Sequence, residues 1–165
     1  MSALPRFEYV RFRVGTEPSA ANRLEHLRRA VDALAAAKAR IPGGQAEPTD
    51  DELVAWRSIL PAMAVATFAA APPSGAWLPP SGLIEPGWED LSMLLAILRG
   101  ETRLEGIHLC DHGTAELRFD SLAWPYGGIT CLIRLVEAFG FDVIAYDEGS
   151  MPEVSRAEHL LMVLR

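Results

Sequence analysis

The stretch Ile107-His-Leu-Cys-Asp-His-Gly-Thr-Ala-Glu-Leu-Arg-Phe-Asp120 decides how the rest of the chain is read. Ile107 and Leu109 alternate with His108 and Cys110, and Ala115, Leu117 and Phe119 alternate with Glu116, Arg118 and Asp120. A period of two belongs to a strand with one face on the core, and His112-Gly113 supplies a turn between the two runs. Residues 106–122 therefore read as a β-hairpin. Downstream, Trp124-Pro-Tyr-Gly-Gly128 interrupts the alternation, and Leu132, Ile133, Val136 and Phe139 then recur at helical spacing over 129–139. Gly140 stops that helix, and Phe141 to Tyr146 returns to a strand. The product is a C-terminal ββαβ unit. His159 to Leu164 is apolar after its first residue and too short for periodicity to separate strand from helix.

Upstream of Gly100 the period is helical. Leu91, Leu94, Leu95 and Leu98 mark a helix over 88–99, and Thr49-Asp-Asp-Glu52 is a capping-box pattern before Leu53, Trp56, Ile59 and Leu60. Pro61 then kinks or ends that helix, because it lacks an N–H and clashes with the preceding turn. Leu24, Leu27, Val31 and Leu34 predict a helix ending near Ile41, before Pro42-Gly43-Gly44. At the start, Val10, Phe12 and Val14 oppose Tyr9, Arg11 and Arg13, the pattern of a half-buried strand over 7–14. The expectation is a single α+β domain spanning 1–165. Its helical half (18–100) packs on a small antiparallel sheet of the sheet-rich half (101–165), built from 106–122 and 141–147, which 7–14 can join.

Composition narrows the function classes. Half of the 165 residues are apolar, so a core needs neither disulfides nor metal. The net charge of −7 argues against nucleic acid, whose phosphates call for clustered Lys or Arg. No apolar run reaches the roughly 20 residues of a membrane span, since prolines break the stretch from Ser58 to Ile84. Met1-Ser-Ala-Leu-Pro-Arg-Phe-Glu8 holds no apolar core of a secretory signal, which predicts a cytoplasmic protein with Cys110 and Cys131 as free thiols. Charge is uneven: residues 1–40 carry eight basic against four acidic side chains, a net +4, leaving −11 on the remainder. Either a basic first strand and helix pack over an acidic body, or an acidic face awaits a basic partner. The same segregation, with the apolar Pro-rich loop 72–87, offers complementary surfaces for a homodimer.

Three groups of side chains are candidate sites. On a strand, His108, Cys110 and His112 share one face, where imidazoles and a thiolate can hold zinc; the competing reading is an ordinary sheet face with Cys110 buried. Gly127, Gly128 and Cys131 enter the helix at 129, where free N–H groups and the helix dipole can hold an anion or lower the thiol's pKa; alternatively Cys131 faces the core. Trp77, in the Pro-rich loop, and Asp147-Glu148, in an expected solvated turn, are candidate partner contacts. No Gly-x-Ser-x-Gly, His-Glu-x-x-His or Cys-x-x-Cys occurs. The favoured expectation is a non-catalytic cytoplasmic domain with an acidic surface, binding a protein partner or itself, as an inhibitor or immunity-type protein does. The alternative is a small hydrolase or metal-binding protein using His108, Cys110 and His112.

Overall fold

In the computed structural model, which describes residues 8–40, 58, 97–98, 102–121, 129–147, 149 and 153–155, the first strand is the centre of the sheet. The chain runs β1 (Glu8–Arg13), α1 (Pro18–Arg40), β2 (Thr102–Cys110), β3 (Thr114–Ser121), α2 (Ile129–Ala138), β4 (Asp142–Asp147) and β5 (Val154–Ser155). Most of the expected helices starting at Thr49 and Trp88, the loop 72–87, the turn 124–128 and the segment 159–164 lie outside the described residues; Ser58, Ile97 and Leu98 are helical, as expected. The five strands lie in the order β2-β3-β1-β4-β5, with every neighbour antiparallel. Consequently β1 and β2 run parallel with β3 between them, and β3 and β4 run parallel with β1 between them. The described elements thus interleave two β-α-β units, the split β-α-β plan, which hosts many unrelated functions. The fold is α+β, and its ββαβ unit is β2, β3, α2 and β4. Among the described residues no helix is long and apolar enough to cross a membrane.

Alternation places the core. Val10 and Phe12 of β1 stand opposite Leu117 and Ala115 of β3, and all four are fully buried. Leu24, Leu27, Val31 and Leu34 of α1 and Leu132, Ile133, Leu135 and Val136 of α2 join the same buried cluster. The rings of Phe12 and Phe141 meet tilted, with centroids 5.0 Å apart, a geometry that adds about 1 kcal/mol to the area they bury. Lys38, the only lysine of the chain, ties α1 to the helical residues beside it. Its ammonium donates to the carbonyls of Ile97 at 2.6 Å and Leu98 at 3.4 Å, and burial pulls its pKa down to about 8.

Two bulges set which residues face inward. In β2 the register moves from Leu104↔Phe119 to Gly106↔Arg118, leaving Glu105 as the extra residue, and Gly106 has φ +103°. Thr102 and Leu104 face the core before the bulge, and Ile107 and Leu109 after it, because one added residue inverts the alternation. A three-residue step between inward residues, Leu104 to Ile107, looks like a break in sequence; the strand in fact begins at Thr102 and not at 106. In β4 the partners of Arg11 and Phe12 are Ala145 and Val143, so Ile144 is the extra residue. That turns Ala145 and Asp147 toward the face bearing Arg11 and Tyr9.

Candidate functional site

The hairpin brings two of its three expected ligands to one face. His108 and Cys110 stand opposite Glu116 and Thr114 on the side of the sheet away from the core. His112 departs from them: it sits in the turn at φ +62°, followed by Gly113 at φ +69°, and alternation holds only along extended backbone. Thr114 Oγ1 donates to the Asp111 carbonyl at 2.9 Å, and Val14 N to the Gly113 carbonyl at 2.8 Å, which fastens the turn to the end of β1. Among the described residues no three His, Cys, Asp or Glu side chains stand close enough together to hold a metal ion. Cys110 is half-buried. Burial and the neighbouring Glu116 carboxylate push its thiol above the ordinary value, away from the thiolate a ligand or nucleophile needs.

The same face carries a network that the sequence reading missed. Glu116 is buried between two guanidinium groups: Arg11 reaches its Oε1 through Nε at 3.1 Å and Nη2 at 2.8 Å, and Arg118 Nε reaches its Oε2 at 2.9 Å. Burial alone raises a carboxyl pKa, but here the hydrogen bonds and charges of both arginines outweigh it and hold Glu116 below its ordinary value. Arg11 Nη1 continues to Glu153 at 3.0 Å, the Tyr9 hydroxyl donates to the same carboxylate, and the Arg11 guanidinium lies 4.6 Å from the Tyr9 ring centre. Burial and Glu153 keep the Tyr9 phenol protonated far above its usual range. At least for Arg11, the basic first strand therefore satisfies its charge within the chain, on acids of β3 and of the residue before β5. The members come from positions 9–11, 116–118 and 153, and the only signal for them was that Arg11, Glu116 and Arg118 all fall on the polar side of alternating strands.

The remaining candidates separate. Cys131 lies in the first turn of α2 but is buried, with its pKa pushed up to about 12 by loss of solvent. The expected lowering by the helix start is reversed, because desolvation of a thiolate outweighs the partial charge of one helix end. Gly127, Gly128, Trp77 and Glu148 lie outside the described residues. Asp147, expected in a solvated turn, is instead the last residue of β4, buried opposite Tyr9, and its Oδ1 accepts from Gly149 N at 2.8 Å. What the described surface leaves open is the outer edge of β2. Leu109 is the one large apolar side chain exposed among the described residues, at 62 % of its full area. Neither the models of protein families, nor curated proteins, nor solved structures give a match to this chain.

Proposed function

We propose that the chain is a non-catalytic, cytoplasmic protein-binding domain that associates through the outer edge of β2, which no strand covers among the described residues. The observation that carries this reading is Leu109, exposed on β2, an edge strand in the sheet. An edge strand offers unpaired N–H and C=O groups to another chain, and an apolar side chain beside them adds affinity that backbone pairing alone lacks. The chemistry of the polar face favours binding over catalysis. Both thiols are raised toward their protonated forms, and Glu116, Arg11 and Arg118 are engaged with one another. The net −11 outside the first forty residues supports an acidic surface that selects partners by charge.

Sedimentation velocity at tens of micromolar tests the reading. The expected result is a mass above the 18.0 kDa of one chain, returning to it in Leu109→Arg. A wild-type chain that stays at 18.0 kDa and holds one zinc per chain after dialysis would instead support the metal-binding alternative.

A further inference from the structure

We propose that Glu153 is a latch: it fastens β5 as a strap across β4 to the central strand, and the strap opens without disturbing the strands beneath it. Among the described residues β5 meets β4 at two pairs, Ala145↔Ser155 and Tyr146↔Val154, and since opposed pairs alternate in hydrogen bonding, one of the two is bonded. Carried one step further, the same register sets Glu153 opposite Asp147 on the outward face. Like charges directly opposed weaken a strand pair, and Asp147 turns its Oδ1 to Gly149 N at 2.8 Å. Glu153 is instead held by β1. Its carboxylate accepts from the Tyr9 hydroxyl and from Arg11 Nη1 at 3.0 Å. Tyr9 and Arg11 stand opposite Asp147 and Ala145, so the side chain of Glu153 reaches over β4, where position 145 puts only a methyl group in its path.

The two sides of Arg11 differ in what opening would break. Toward β3 it gives Nε at 3.1 Å and Nη2 at 2.8 Å to Glu116, whose side chain is 7 % exposed. Toward β5 it gives Nη1 to Glu153, whose side chain is 42 % exposed. Release of Glu153 therefore leaves the guanidinium bonded to a buried carboxylate and still beside the Tyr9 ring. The Arg11 side chain is itself 30 % exposed, so water can take over the freed Nη1. The large cost of breaking an ion pair is a buried charge left unpaired, and here none is left. Water also competes for Glu153 in place, which keeps the pair weak. Val154 adds a partly buried side chain against the core, so opening exposes one small apolar group and the outer edge of β4 at Ala145 and Tyr146. Arg11 is thus fixed to β3 and releasable from β5.

Native-state hydrogen exchange reads such an opening residue by residue. In the wild type the β5 amide paired with β4 should exchange faster than the amides of 8–13, and low urea should leave its rate unchanged, because opening a strap exposes little surface. Glu153→Ala removes contacts that opening breaks. That amide should then exchange about tenfold faster, the worth of one partly exposed ion pair and a hydrogen bond. Glu116→Ala removes contacts that survive opening, so it should speed exchange in 8–13 and leave the β5 amide at or below its wild-type rate. Three results would each overturn the latch. The β5 amide could be unmoved by Glu153→Ala, could speed up together with 8–13 in Glu116→Ala, or could match 8–13 in rate and urea dependence in the wild type. Circular dichroism of both variants excludes misfolding as the cause. Because β2 takes no part in the strap, association there bears on none of these outcomes.

Discussion

β1 and the part of β2 after its bulge carry the same alternating pattern of apolar and polar residues, and the fold puts the two strands in different positions. β1 has a strand on each side, buries Val10 and Phe12 on one face and places Arg11 and Tyr9 in a closed network on the other. Among the described residues β2 has a strand on one side only, is bent by a bulge, and leaves Leu109 exposed. A strand whose backbone and side chains are all engaged can only hold the molecule together. A strand with one edge open can also bind. On the proposed reading the difference is one between structure and function: substitutions in β1 should cost stability, and substitutions at the end of β2 should cost association.

The largest effect belongs to the central strand. Phe12→Ala removes a fully buried ring that touches Phe141, and it should cost about 4 kcal/mol, from lost transfer energy and the cavity left behind. In urea denaturation this appears as a lower midpoint with an unchanged slope. A loss below 1 kcal/mol would mean that β1 is not the packed centre.

Next comes the polar side of the same strand pair. Glu116→Ala leaves Arg11 and Arg118 without their shared carboxylate, although both guanidinium groups retain some solvent. It should cost about 2 kcal/mol, between the values for exposed and fully buried pairs. The folded pKa of Glu116 lies below its unfolded value, so its contribution is complete above the ordinary carboxyl value of 4.5 and is lost as pH falls through the lower, folded value. In Glu116→Gln this part of the acid loss should be missing, which denaturation midpoints between neutral and acidic pH would reveal. Equal pH slopes in wild type and Glu116→Gln would remove the network from the account.

The smallest effect is in the hairpin turn. His112 occupies a left-handed conformation that glycine adopts without strain. His112→Gly should therefore change stability by no more than about 1 kcal/mol, relief of strain being offset by the freer unfolded chain. It should leave association intact. Loss of bound zinc in this variant would instead return His112 to the role of ligand.

Much of this architecture was legible in the sequence because it is local. The stripe of Leu24, Leu27, Val31 and Leu34 became α1, Gly140 ended α2 at φ +80°, and the run from Ile107 to Asp120 became the hairpin. What stayed hidden depends on pairing across the chain. Nothing local says that 8–13 inserts between β3 and β4, since any half-buried strand fits an edge or a centre equally well. The bulge at Glu105-Gly106 concealed the first part of β2 by inverting its alternation. The Arg11, Glu116 and Glu153 contacts join residues more than a hundred positions apart. At the candidate sites, face alternation correctly grouped His108 with Cys110 and failed at His112, where the backbone leaves the extended region. Helix position suggested a reactive Cys131, and burial, which a helix start does not reveal, decided otherwise.

Hydrogen–deuterium exchange at low and high protein concentration tests the division between the two strands most directly, because it reads both in one sample. Amides of 102–110 should gain protection as concentration rises, while those of 8–13, already paired on both sides, should stay unchanged. Protection of 102–110 that is independent of concentration, with no other segment responding, would contradict the assignment of β2 as the strand that associates.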